Sequence, residues 1–294
     1  MTGHEEITIQ RLADSEDVKV GYSDKDIVII DGIQKFAEFS IAHIAMYGIA
    51  ICTRGRVEAS MNGQLMSMCQ NQIAILPPNV NITDLMVSPD FDVKAIFLTN
   101  NILQSFLREK IGVWNDVVYV HRHRILTADA DDMLFYTNFY EMLRLCIYKG
   151  KDRPYSADVV QSLLRSAILG LCGALKQLLP DDDVHVEAQG GSNHFRSFLH
   201  LLNTTEVKHR TVESYASELC ITPKHLSAIC KKHSGKTANE WIQEHVMEDI
   251  RYYLKQTDLS IKQVCDRLGF PNTSFFGKYV RERFGMTPIQ LRRS

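Results

Sequence analysis

Between residues 224 and 232 the sequence sets cations among short side chains: Lys224, His225, Ser227, Ala228, Lys231 and Lys232. About fifty residues later Ser274, Gly277, Lys278 and Arg281 form a second such set. Ammonium and guanidinium groups neutralise phosphates, while hydroxyl and imidazole groups can bond to base edges, so the chemistry on offer is the binding of a polyanion. The charge distribution agrees. From residue 195 onward 16 Lys and Arg face 10 Asp and Glu, a balance of +6, whereas residues 1–194 carry −8. An uneven but meaningless distribution would give the same totals, so the elements that position these side chains must decide.

Those elements occur twice. ESYASELCITPKHLSAICKKHSGKTA (213–238) has the cadence of DLSIKQVCDRLGFPNTSFFGKYVRERFGMTP (258–288). Tyr215 aligns with Val264 and Leu219 with Leu268 at an offset of 49. After the turn Leu226 aligns with Phe276, Gly235 with Gly285 and Thr237 with Thr287 at an offset of 50. The extra residue lies at 271–273, which suits one supersecondary unit used twice with an insertion in its turn. In the first copy Val212, Tyr215, Ala216 and Leu219 share the face of a short helix that begins after Thr211. Cys220-Ile221-Thr222 is a tight connection, and Thr222 caps a second helix with Pro223 at its first position. Leu226, Ile229 and Cys230 point inward there, leaving Lys224, His225, Ser227, Ala228, Lys231 and Lys232 outward. In the second copy Ser260 caps a helix with Ile261, Val264, Cys265 and Leu268 inward, and Gly269 ends it. Asn272 or Thr273 caps the next helix, with Phe276 and Val280 as core and Ser274, Phe275, Gly277, Lys278 and Arg281 outside. A helix, a short turn and a helix with a polar-basic outer face make a helix-turn-helix, whose second helix fits a major groove. Residues 237–256 read as one long connecting helix with Trp241, Ile242, Val246, Ile250 and Leu254 apolar. Heads entering successive major grooves would lie about 34 Å apart. An ordinary bundle with solvated lysines is the bland alternative, and the duplication argues against it.

From about residue 195 to 294 the chain resembles the DNA-binding domain of the arabinose-regulator family, AraC/XylS. The resemblance rests on SYASELCITPKHLSAICKKHSGKT, on Trp241-Ile242, on LSIKQVCDRLGFPNTSFFGKYVRERFGMTP and on Arg292. It implies base contacts from Lys224, Ser227 and Ala228 with Lys231 and Lys232 near phosphates. In the second head it implies Ser274, Gly277 and Lys278, with Arg281 near phosphate. With His225 and the capping pair Asn272 and Thr273, these residues form the candidate DNA-contact set. Ala228 and Gly277 stand where members of the family often carry longer polar side chains. Val280 replaces a common aromatic core residue, and Ile250 a usually small one. With few long readers, specificity should depend on Lys224, Lys278 and DNA shape.

The front portion reads as strands first and helices second. IVII, FSIAHIAMYGIAICT, RVEASMNGQLMSMC, QIAIL and DVKAIFLT are β-favouring runs, and Asn62-Gly63 is a hairpin signal. Residues 129–149 and 156–179 carry helical patterns, the second with Val160, Leu164, Ala167, Leu171, Leu175 and Leu178 in register and Pro154 and Pro180 at its limits. PDDDVHVEAQGGSNH (180–194) is a linker. The expected fold is therefore α+β: an antiparallel, cupin-like β-barrel over 1–125, a helical pair serving dimerisation over 126–180, a linker over 181–194, and an all-α double helix-turn-helix domain over 195–294. The barrel and dimerisation element are what the family resemblance implies.

His43 stands alone among the strands, and His121 and His123 in VHRHR are flanked by Arg122 and Arg124 without a nearby Glu, so neither a metal nor a cofactor is expected and no residue is assigned to catalysis. Seven scattered cysteines without a CxxC suit reduced thiols in a cytoplasm. No uncharged apolar run spans a membrane, and no secretory signal opens the chain. The expected function is a bacterial DNA-binding transcription regulator, an activator acting as a homodimer on promoter DNA and on RNA polymerase. A small-molecule effector would bind the front domain, at residues the sequence does not mark. The alternative is a metal-free, small-molecule-binding cupin protein with only non-specific DNA affinity.

Overall fold

The computed structural model describes residues 5–7, 18–33, 41–108, 110–120, 124–150, 153–177, 190–205, 207, 209 and 211–294. They fall into two compact units, Met1–Pro180 and Asp181–Ser294. His121, His123 and residues 181–189 of the expected linker lie outside the described residues, and a helix already occupies positions 190–194.

The first unit contains strands β1 (Glu5–Ile7), β2 (Val18–Ser23), β3 (Ile27–Ile33), β4 (Ile41–Ile44), β5 (Tyr47–Arg54), β6 (Arg56–Met61), β7 (Gln64–Cys69), β8 (Gln72–Leu76), β9 (Val80–Val87), β10 (Asp92–Leu98) and β11 (Ile125–Thr127). One sheet runs β1-β4-β9-β6-β7 and the other β11-β8-β5-β10-β3-β2. Pairings are antiparallel except that of β1 with β4, which is parallel. Among the described residues no pairing joins the two sheets into a closed ring.

Turn chemistry explains the topology. Asn62 and Gly63, with φ of 50° and 78°, supply the two left-handed positions of the hairpin between β6 and β7. Gly55 (φ 71°) lets β5 turn directly into β6, taking the chain from one sheet to the other, and a Cβ there would run into Ser88 and the backbone of Phe91. The core holds side chains from both sheets: Val28, Ile30, Ala50, Cys52, Ala74, Leu76, Val93, Ala95 and Phe97 with Ile44, Val57, Met61, Met68 and Val80.

The six-stranded sheet is also covered on its other face. Ile49, Ile51, Ile73 and Ile96 meet Tyr136, Phe139, Tyr140, Leu164, Ile168 and Leu171 of a helical pair, α3 (Ala130–Gly150) and α4 (Ser156–Gln177). Burial on both faces is why Ile27–Ile30 and Ile73–Leu76 are apolar without alternation. Before the pair, α1 (Asn100–Leu107) and α2 (Ile111–Asn115) run into a π turn, Asp116–Val120, that buries Trp114, Val117, Val118 and Tyr119. The Tyr47 and Tyr119 hydroxyls share a buried hydrogen bond of 2.7 Å. Neither α1 nor α2 was expected, because that span lacks a sustained apolar period; β2, β9 and β11 likewise went unread. Among the described residues α4 is the one helix long and apolar enough to cross a membrane, but Val160, Leu164, Ile168, Leu171 and Leu175 on it are buried in this unit.

A polar contact ties α3 to the sheet. The Tyr140 hydroxyl donates to the Ile30 carbonyl at 3.1 Å and to the Asp31 carboxylate, while Lys94 Nζ donates to the Asp31 carbonyl at 2.6 Å. Removing a buried hydroxyl that bonds a carboxylate costs about 1–3 kcal/mol. Tyr140→Phe is expected to lower the unfolding free energy by that amount, measured by urea denaturation at unchanged m-value.

Candidate nucleic-acid interface

The second unit begins with α5 (Gly190–Thr204), which buries Phe195, Phe198, Leu199 and Leu202. Their spacing of three, four and seven residues is a helix signal that was open to a sequence reading. Then follow α6 (Val212–Glu218), α7 (Pro223–Ser234), α8 (Ala238–Gln256), α9 (Ile261–Arg267), α10 (Thr273–Phe284) and α11 (Pro288–Arg293).

The duplication is written in hydrogen bonds. Thr211 caps α6 by accepting from Ser214 N, and Ser260 caps α9 by accepting from Gln263 N. In the two turns Ile221 N donates to Ala216 O at 3.0 Å and Phe270 N to Cys265 O at 3.1 Å, equivalent pairs at the offset of 49. The left-handed position between them is Cys220 (φ 55°) in one copy and Gly269 (φ 74°) in the other. Thr222 caps α7 through His225 N, and Asn272 caps α10 through Phe275 N. Gly235 and Gly285 end these helices in left-handed conformation, and Thr237 and Thr287 open the next ones with capping boxes. Asn272, not Thr273, is therefore the cap, and Thr273 is the first helical residue.

Both second helices are anchored to α8. Trp241 Nε1 donates to Ser234 Oγ at 2.8 Å, and Ser234 Oγ donates in turn to Cys230 O. Lys236 forms a buried ion pair with Glu244 at 2.8 Å and lies 5.0 Å over the Trp241 ring. At the far end Arg251 lies 5.3 Å over Phe284, while Arg292 donates to the carbonyls of Leu254, at 3.0 Å, and Leu259. Leu226, Cys230, Phe276 and Val280 are fully buried as expected, and Ile250 is buried along α8.

This packing leaves one face of each second helix bare. Lys224, His225, Ala228, Lys231 and Lys232 are exposed on α7, with Ser227 half-buried. On α10 and its cap Asn272, Thr273, Ser274, Lys278 and Arg281 are exposed, with Gly277 half-buried. Lys278 lies 3.8 Å from Glu282 with both side chains largely in solvent, a pair that holds little energy and breaks readily for a phosphate. His43 bonds Asn81 at 2.8 Å, no group of three metal-ligating side chains occurs among the described residues, and the seven cysteines are free thiols.

An aromatic cluster that the sequence reading missed flanks the second head. His209, from the loop before α6, stacks on Phe270 at 3.9 Å with Tyr279 at 5.6 Å, and Val207 lies where a Cβ on Gly269 would collide. Burial holds the His209 imidazole below its ordinary range, against a smaller opposing pull from its hydrogen bond with the Gly269 backbone.

Two helix-turn-helix units on one connecting helix define a DNA-binding module. Residues 215–294 match a family model described as a helix-turn-helix domain. The HTH-type transcriptional regulator YpdC of Escherichia coli (strain K12) is 29% identical over 135 residues, 46% of this chain and 46% of that protein. Regulatory protein PocR of Salmonella typhimurium is 33% identical over 81 residues, 28% of this chain and 27% of its own. The chain thus spans less than half the length of these relatives. The C-terminal domain of AraT, a response regulator from Geobacillus stearothermophilus, is 25% identical with a TM-score of 0.31, covering 34% of this chain and 83% of that one. The C-terminal segment is an AraC-type helix-turn-helix domain, of a family of transcriptional regulators and not of enzymes.

His209 gives a pH test. A histidine depressed by folding binds its proton more readily when unfolded, so its contribution is intact above about pH 6.5 and fades as pH falls toward the folded value. Between pH 7.5 and 5.5 the wild type is expected to lose more Tm than His209→Gln. Equal losses would remove His209 from the balance.

Proposed function

We propose that the chain is a bacterial transcription regulator that reads promoter DNA with α7 and α10. The observation that carries this is the pair of exposed, cation-bearing faces on two capped helices that α8 holds at a fixed separation. The contact set is Lys224, His225, Ser227, Ala228, Lys231 and Lys232 in the first head, and Asn272, Thr273, Ser274, Gly277, Lys278 and Arg281 in the second. Domain limits follow the sequence: 1–125 regulatory, 126–180 dimerising, 181–194 linking, 195–294 DNA-binding. The protein works in the cytoplasm, and as an activator it would contact RNA polymerase.

The two facing sheets support a cupin-like arrangement for the regulatory part. A cleft of about 340 Å³ at the edge of their core, lined by Met61, Gln64, Leu65, Met66, Arg124 and Ile125, is of a size to take a small effector. The helical pair supports homodimerisation, since Leu134, Phe135, Met142, Leu145 and Tyr148 leave large apolar groups on the surface of α3.

Two measurements test this. The full chain is expected to prefer promoter fragments over random DNA at physiological salt, and Lys224→Ala with Lys278→Ala to weaken that binding and flatten the salt dependence by about 0.9 per lost phosphate contact. Equal binding by wild type and double variant would show the reading face to be misassigned, and binding that is equal for all DNA would favour the non-specific alternative. Second, Leu134→Glu with Leu145→Glu is expected to sediment as a monomer where wild type is a dimer. A monomeric wild type would overturn the dimer.

A further inference from the structure

Phe275 is the large apolar side chain on the DNA-facing side of the second head. It occupies the third position of α10, where its N–H donates to Asn272 Oδ1 at 2.8 Å, and it is 47% exposed. One edge of the ring packs near Phe270, at 6.3 Å, and His209, at 6.4 Å, which fixes its direction and leaves the remainder bare. The equivalent residue of the first head is His225, whose N–H donates to Thr222 Oγ1 at 3.2 Å in the same capping geometry. The two heads thus present opposite chemistries at one position: an imidazole that can exchange hydrogen bonds, and a ring that can exchange none. Two residues on, Gly277 adds no side chain, and nothing lies within 4 Å of where its Cβ would stand, so the helix surface there can come close to a groove floor.

We propose that Phe275 is a specificity-determining residue that reads the 5-methyl group of a thymine in the half-site bound by the second head. This rests on the DNA-binding reading above. Along the major-groove edges of the bases the thymine methyl is the one apolar group; the others are hydrogen-bond donors and acceptors that a phenyl ring would desolvate without replacement. A phosphate offers the ring no better partner. Apposition to a methyl removes both apolar surfaces from water.

The test replaces the methyl and nothing else. Duplexes are selected from a random pool with the full chain, and each thymine of the selected site is then exchanged singly for deoxyuridine. For wild type, one exchange in one half-site is expected to weaken binding about fourfold, the worth of one buried methyl group. Phe275→Ala is expected to bind the thymine and deoxyuridine duplexes equally at that position while keeping wild-type discrimination in the other half-site, which also shows that the variant is folded. Phe275→Leu, which retains an apolar tip, should preserve part of the difference. Failure to select any duplex over random would overturn the DNA-reading function itself. A selected site whose deoxyuridine profile is flat, or is unchanged by Phe275→Ala, would overturn the role of Phe275 alone.

Discussion

The C-terminal unit depends on the stiffness of α8. Nineteen helical residues span about 28 Å, and a helix bonded along its whole length does not shorten or bend cheaply. Its value as a spacer lies in how its ends are held. At one end the Thr237–Glu240 capping box satisfies orphan amides while the Trp241–Ser234 bond ties in α7. At the other, Arg292 brings a cation to the last-turn carbonyl of Leu254, where the helix dipole favours positive charge. Neither recognition helix can rotate about α8 without breaking a buried polar contact.

The front unit follows another constraint. A six-stranded sheet covered on both faces cannot be polar anywhere along its central strands, and the runs at Ile27–Ile30 and Ile73–Leu76 are the result. Such a sheet couples what lies on its two sides. The strand that feeds Ile30 into the inter-sheet core also offers its carbonyl to Tyr140 of α3, and the next residue, Asp31, is gripped by Tyr140 and Lys94. A change of packing inside the sheets therefore has a short mechanical route to the helical pair.

How much of this was legible depended on whether the signal was local. The second unit was read almost element by element because its boundaries are set by caps, and Thr222-Pro223, Ser260, Gly269 and Thr237 announce themselves in one residue each. The hairpin at Asn62-Gly63 is of the same kind. The strands of the central sheet were visible as apolar runs, but their division between two sheets was not, since Gly55 looks like any turn glycine until its neighbours Ser88 and Phe91 are known. α1 and α2 were missed because short helices carry too few turns for a period to show. The stack of His209 on Phe270 joins residues sixty-one positions apart, and nothing in either neighbourhood marks it. Within the contact set, exposure was anticipated for all but Ser227 and Gly277, which are partly covered.

The duplicated unit keeps its start and stop signals while its outward residues have parted. Thr211 and Ser260, Thr222 and Asn272, Gly235 and Gly285, Thr237 and Thr287 fill equivalent roles, whereas Lys224, Ser227 and Ala228 stand opposite Ser274, Gly277 and Lys278. Foldability and vocabulary are thereby separated. Mutations that rewrite one head leave untouched the hydrogen bonds that shape it, and they leave the other head able to hold the partner in place meanwhile. A protein built this way can drift from one target to another by half-steps, without passing through a form that neither folds nor binds.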